Sequence, residues 1–257
     1  MECSTPKEQH MTGATFEKFI KLISEWRQYA ILVGGGEPTE HPQLFEMLEE
    51  IIPRVNVQCL LVSNGMWLGD PEKDLRMFDM LQRHDKFGIQ ITSYEGLYQN
   101  CADIRAKCKS FMLTLKELKL KHRVILVTDR DQIHLLELGR CKENLELAKE
   151  ARADNRSTTS CAQFVTTLVQ MGSFKTALFA HAMNGKFCTP FISWKGNLHM
   201  SESWLCPHFA DVFDKPEKIE EKALKWRPCG KCAGYQKLLA RDDGNYPRIK
   251  QLLGIEK

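Results

Sequence analysis

The sequence predicts an α/β protein: parallel strands beneath crossover helices, forming an open sheet or an incomplete barrel, with a small cysteine-rich C-terminal extension. Three observations carry this. Stretches with apolar residues at helical spacing alternate four times with short continuous apolar runs, the signature of repeated βαβ units. The 257 residues suffice for one substantial core, with or without an appendage. From Phe187 onward the composition shifts to Cys, Pro, Trp and His packed into short elements.

The elements follow in order. Ala14 to Tyr29 has helical spacing at Phe16, Phe19, Ile20, Leu22, Ile23 and Trp26, and Tyr29 to Val33 is a short buried strand. His41 to Ile52 is helical through Leu44, Phe45, Leu48, Ile51 and Ile52, and Val55 to Val62 is a strand that ends at Ser63-Asn64-Gly65. Pro71 to Arg83 and Ile104 to Leu118 are helices, each followed by a strand, Phe87 to Thr92 and His122 to Thr128. Leu135 to Ala151 is helical, Ala153 to Ser160 is a polar break, and Phe164 to Val169 is expected as a further strand. A soft boundary falls near Asn184. Beyond it, Phe191 to Trp194 and Leu198 to Met200 flank Lys195-Gly196-Asn197 as a hairpin. The Lys and Glu run from Asp214 to Lys225 reads as a solvated helix, and Gly230 to Ala240 and Tyr246 to Leu253 as helical.

Hydrophobic residues make up 43% and charged residues 27%, without a tract of Pro, Gly or Ser, which excludes wholesale disorder and fibrous repeats. A net charge of +3 is too weak a bias to argue for nucleic acid or an anionic membrane surface. No run of about 18 apolar residues occurs, and Glu2 to Glu8 lacks the apolar core of a signal peptide. A cytoplasmic protein without a membrane partner is expected. Ten cysteines exceed what packing requires, and in a reducing compartment metal or cluster binding is their leading use. Cys59, Cys101, Cys108 and Cys141 sit in or beside predicted strands and helices and read as packing residues. The break before Cys161 allows it near the mouth of a barrel.

Val33-Gly34-Gly35-Gly36-Glu37-Pro38-Thr39 places three glycines, an acid and a proline at the carboxyl end of the first visible strand, where parallel α/β sheets and barrels place their ligands. Glycines open backbone conformations closed to other residues and let a ligand approach the main chain, while Pro38 stiffens the turn. A tight turn whose glycines serve only chain reversal is the competing reading. The spacing fits neither the dinucleotide fingerprint G-x-G-x-x-G nor a phosphate loop ending in G-K-S/T.

Gly35-Gly36-Glu37-Pro38, at a strand end and followed by an amphipathic helix, closely resembles the GGEP motif of the radical S-adenosylmethionine family. Val62-Ser63-Asn64-Gly65 ends the next strand much as a T/S-N-G run does in many members, and strands at Gln90 to Thr92 and Val124 to Thr128 follow in step. The resemblance runs from about residue 1 to 185 and implies a partial (β/α) barrel over 1–184, with the extension over 185–257. It implies that the GGEP backbone, Gly35, Gly36 and Glu37 flanked by Gly34 and Pro38, binds the amino end of S-adenosylmethionine. Ser63, Asn64, Thr92 and Arg123 are candidates by position for its ribose and carboxylate; for Ser63-Asn64-Gly65 a simple turn is the alternative.

The sequence departs from the family at its defining loop. Members carry C-x-x-x-C-x-x-C after the first barrel strand, where three thiolates hold a 4Fe-4S cluster that cleaves S-adenosylmethionine to a 5′-deoxyadenosyl radical. Here Cys3 is the only cysteine ahead of the glycine run, about where the third cluster cysteine would stand. Two accounts fit: a chain shortened at its start, the favoured one, or a natural derivative without the cluster. As written, the polypeptide is expected to be catalytically inactive, with no catalytic residue assigned, because one thiolate does not hold a cluster.

Pro228-Cys229-Gly230-Lys231-Cys232 is a C-x-x-C turn that brings two sulfurs to one metal, and Cys188 and Cys206 complete a four-sulfur set around the hairpin. The layout resembles a shortened auxiliary-cluster extension of the same family. A 4Fe-4S cluster is the first expectation and structural zinc the second, since both accept four cysteines. His199, His208 and Glu202 share this region; a histidine beside a hairpin is more often a surface or hydrogen-bonded residue. Two functions follow: a radical S-adenosylmethionine enzyme acting on a peptide or protein and fed by a donor such as a flavodoxin or ferredoxin, or a non-catalytic nucleotide- or partner-binding barrel with a zinc-stabilised tail.

Overall fold

The computed structural model describes residues 10–26, 30–34, 37–93, 101–120, 123–128, 160–183, 190–200, 207–227 and 251. The chain is α/β and divides into two compact units, one built on Ala30–Asn155 with Met1–Gln9, the other on His10–Tyr29 with Arg156–Lys257.

In the first unit, β1 (Ala30–Val33), β2 (Gln58–Ser63), β3 (Phe87–Ser93) and β4 (Val124–Thr128) form one sheet in the order β1-β2-β3-β4. All three pairings are parallel. Helix α2 (Leu44–Ile51) joins β1 to β2, α3 (Pro71–Arg83) joins β2 to β3, and α4 (Cys101–Glu117) joins β3 to β4. Helix α3 starts where its sequence dictates. Asp70 caps it by accepting from the amides of Glu72 at 3.1 Å and Lys73 at 3.3 Å, Pro71 occupies the first turn, and Glu72 and Asp74 complement the helix dipole.

The register separates the two faces of this sheet. Cys59 pairs with Phe87, Leu61 with Ile89, and Ser63 with Ile91; all six are buried, and registered partners in a parallel sheet share a face. On the opposite face Leu60, Val62 and Gln90 are only half-buried and Ile125 is 50% exposed. Parallel strands are ordinarily covered on both faces, so the sheet is lopsided. Burial pushes the Cys59 thiol up to about 12 and that of Cys108 to about 11, which suits the packing role expected of both. Ion pairs of Arg76 with Glu46 and of Arg83 with Glu49 join α2 and α3 at the surface, and Arg83 also pairs with Asp79 within α3; such pairs contribute little each.

The second unit packs α1 (Gly13–Trp26), α5 (Ser160–Met171), α6 (Phe174–Met183) and α7 (Pro216–Lys225) with an antiparallel sheet of β5 (Phe191–Ile192), β6 (Asn197–His199) and β7 (His208–Asp211). Its core holds Leu22, Trp26, Phe164, Val165, Leu168, Phe174, Leu198, Met200 and Ile219. The expected strand at Phe164 to Val169 is instead part of α5. Phe164, Val165 and Leu168 are buried while Gln170 is exposed, which is helical periodicity; the β-branched residues that suggested a strand yielded to burial of one helix face. The hairpin forms as read, with Phe191 opposite His199 and Ile192 opposite Leu198. Gly196, at φ +90°, makes its turn, and a Cβ there would stand 2.6 Å from a Val212 methyl. The third strand, β7, was not anticipated. The solvated helix forms as α7, with Ile219 and Ala223 buried. The expected elements at 135–151, 230–240 and most of 246–253 lie outside the described residues.

Asp214, just ahead of α7, accepts from Lys222 at 2.6 Å and from the Asp211 amide at 3.2 Å, and pairs with Lys218 at 3.1 Å. The Lys222 hydrogen bond, chiefly, lowers its carboxyl pKa to about 2. A carboxyl depressed on folding stabilises above its unfolded pKa and loses that contribution as pH falls through the folded one. Asp214→Asn should therefore lower stability by about 0.5–1 kcal/mol at pH 7 and leave the difference from the parent vanishing between roughly pH 4 and pH 2, read by urea denaturation across pH. An equal difference at pH 2 would refute it.

Candidate functional site

The carboxyl ends of β1, β2 and β3 are joined by one hydrogen-bond network centred on Glu37. Glu37 is 8% exposed and caps the short 3-10 turn Pro38–Glu40. Its Oε1 accepts from the Thr39 amide at 3.1 Å, the Thr39 hydroxyl at 2.6 Å and the Ser63 hydroxyl at 2.8 Å. Its Oε2 accepts from the Asn64 amide at 2.7 Å. The carboxylate thus ties the turn after β1 to the turn after β2, using charge-assisted hydrogen bonds in a buried setting where an acid needs such partners.

Ser63 is the second hub. Its Oγ accepts from the Gly65 amide at 3.0 Å and from the Trp67 indole N–H at 2.9 Å, and its carbonyl accepts from the Thr92 hydroxyl at 3.1 Å, which brings in β3. The Asn64 Oδ1 accepts from the Met66 amide at 2.9 Å, the Asx-type turn that sequence reading offered as the alternative role for Ser63-Asn64-Gly65. Gly65 has φ +78°, and a Cβ on it would lie 2.8 Å from an Ile91 methyl and 3.1 Å from one of Ile104. Gly65→Ala should lower stability by about 2 kcal/mol or more, from left-handed strain plus overpacking. A chemical denaturation midpoint unchanged from the parent would refute this.

Of the residues singled out in sequence, Gly34, Glu37, Pro38, Ser63, Asn64 and Thr92 are described, and all stand at the carboxyl end of this sheet. Gly34 is exposed; Glu37, Ser63, Asn64 and Thr92 are buried. Gly35 and Gly36 lie outside the described residues. Arg123 is misplaced by the sequence reading: it precedes β4 and so stands at the amino end, where its guanidinium donates to the carbonyls of Leu81 at 2.7 Å and His84 at 2.8 Å, at the end of α3.

Two residues at this edge were not anticipated. Ser93 ends β3 with 0% exposure, and its Oγ has no hydrogen-bond partner among the described residues, unusual for a buried hydroxyl. Nearby, Arg105 of α4 donates to the Ser93 carbonyl at 3.3 Å. The other is Trp67, 2% exposed, whose ring meets Phe111 edge-on at 5.2 Å. Neither carries a motif; a serine at a strand end and a tryptophan in a turn look ordinary until the fold converges them.

The proposed metal ligands Cys3, Cys188, Cys206, Cys229 and Cys232 lie outside the described residues, as do Cys141 and Glu202. Among the described residues no group of three or more His, Cys, Asp or Glu stands where it would hold one metal ion. His199 is 5% exposed and sits between Phe191, at 5.9 Å, and the exposed His208, at 6.0 Å between ring centroids. Among the described residues, no helix is long and apolar enough to cross a membrane. No protein-family model, curated protein or solved structure matches the chain.

Proposed function

We propose that the carboxyl edge of the parallel sheet binds S-adenosylmethionine, as the core of a radical S-adenosylmethionine-type partial barrel. The observation that carries this reading is the Glu37 clamp. The Glu37 side chain, with four internal donors, ties the Pro38–Glu40 turn to the turn after β2 at the sheet edge where α/β proteins bind ligands. The half-exposed second face of the sheet, carrying Leu60, Val62, Gln90 and Ile125, supports the barrel form of the fold, in which that face lines an interior.

The residues present suit the ligand. The glycine run admits the ligand's amino end to backbone groups, and Thr92, on the sheet face of Gln90 and Ile125, stands at the same edge. When bound with an iron-sulfur cluster, S-adenosylmethionine supplies a carbon-centred radical. Among the described residues no group of three or more His, Cys, Asp or Glu stands where it would hold a metal ion, so no reaction step is assigned through a cluster. The proposed substrate remains a peptide or protein, by analogy with proteins bearing auxiliary-cluster extensions.

Equilibrium dialysis of the folded protein against S-adenosylmethionine tests the reading. One equivalent should bind. Absence of binding at millimolar ligand would overturn it. For the tail we propose a four-cysteine site of Cys188, Cys206, Cys229 and Cys232, holding a cluster or zinc. Cys229→Ala and Cys232→Ala should each abolish bound metal measured by elemental analysis; full metal content in both would remove the assignment.

A further inference from the structure

We infer that Trp67 is a positioning residue: its indole N–H fixes the Ser63 hydroxyl in the direction that holds the Glu37 clamp closed. A serine hydroxyl has one proton to donate and two lone pairs to accept with. The Gly65 amide and the Trp67 indole, at 3.0 Å and 2.9 Å, occupy both lone pairs. The single remaining proton has one place to go, Glu37 Oε1 at 2.8 Å.

The direction of that hydrogen bond is thereby set by groups on its far side. Gly65 is local to Ser63, and its amide is held by the turn itself. Trp67 brings information from elsewhere: its ring packs edge-on against Phe111 of α4 at 5.2 Å, and Phe111 stacks on Phe78 of α3 at 4.3 Å. Two helices behind the sheet therefore anchor the donor that aligns Ser63. The chain of contacts runs from this aromatic stack through Trp67, Ser63 and Glu37 to Thr39 and the turn after β1. Chained hydrogen bonds in a low-dielectric setting strengthen one another, so the loss of the indole donor is felt at the far end.

Trp67→Phe deletes the N–H and also empties the volume of the five-membered ring, and the two effects are told apart by where exchange changes. Amide hydrogen exchange is the direct readout. Exchange at Asn64 and Thr39, the two amides that donate to Glu37, should accelerate three- to tenfold, while amides within β3 keep their parental rates. Ser63→Ala should accelerate the same two amides, and adding Trp67→Phe to it should change nothing further, because the effect passes through the Ser63 hydroxyl. Uniform acceleration across the sheet would show that Trp67 serves packing alone and would overturn the inference, as would additive effects or parental rates in Trp67→Phe. The consequence for ligand rests on the function proposed above: Trp67→Phe should weaken S-adenosylmethionine binding by the same three- to tenfold. If the parent protein binds none, that reading fails, while the exchange pattern still decides the role of Trp67.

Discussion

Glu37→Gln is expected to lower stability by about 3 kcal/mol and to abolish binding at the sheet edge. The substitution is nearly isosteric, so its effect isolates the acceptor oxygens. If the new amide nitrogen takes the place of Oε2, it confronts the Asn64 N–H, donor against donor; if it takes the place of Oε1, it confronts the Thr39 amide and the Thr39 and Ser63 hydroxyls. The side chain adopts the first orientation, which leaves one buried donor unsatisfied at about 1–3 kcal/mol and weakens the three others by removing the charge that assists them. Denaturant unfolding with an unchanged slope and a lowered midpoint is the expected record. A loss below about 1 kcal/mol would mean that the carboxylate does not clamp the two turns.

Phe174→Ala is expected to destabilise the second unit by about 3–5 kcal/mol, the range for emptying a buried phenylalanine site. Phe174 is fully buried and makes edge contacts with Trp26 at 5.2 Å, Phe164 at 5.6 Å and Phe209 at 5.5 Å. These rings belong to α1, α5 and β7, so the cavity would face three elements at once and has little scope to collapse. Its amide also donates to Glu220 at 2.6 Å, fastening the start of α6 to α7. Tryptophan fluorescence during urea unfolding measures the change, and Phe174→Leu, which keeps most of the apolar volume, should recover more than half of it. A loss under 1.5 kcal/mol for the alanine variant would show that the aromatic cluster is not the centre of this core.

Much of the first unit was legible because its signals are local. Helix α3 runs from Pro71 to Arg83 as read, since Asp70, Pro71 and the flanking acids make a start signal that needs no tertiary help. The glycine run and Ser63-Asn64-Gly65 pointed to the sheet edge because turn chemistry and strand ends share a short sequence span. The failures have separate causes. Phe164 to Val169 reads equally as a buried strand or a helix face, and only packing in the second core decided between them. Arg123 was placed at the wrong edge although it opens the strand read over His122 to Thr128, since in a parallel sheet the start of a strand lies at the amino end.

By itself the sequence determined the α/β class, the order of the parallel strands' helical connections, the hairpin at Gly196 and the placing of Glu37, Ser63, Asn64 and Thr92 at strand ends, since each depends on spacing within a few residues. Tertiary structure alone decided that α1 joins a core with elements nearly 150 residues later in the chain, with Leu22 and Trp26 packed beside Phe164 and Phe174. It also decided that the Glu37 side chain points inward onto Ser63 and Asn64, and that Trp67 and Ser93 belong to the same edge. Those outcomes depend on burial and on which donors meet which acceptors across 26 or more residues of chain. A buried carboxylate takes the donors that the packed fold supplies, and the linear pattern does not record which ones they are.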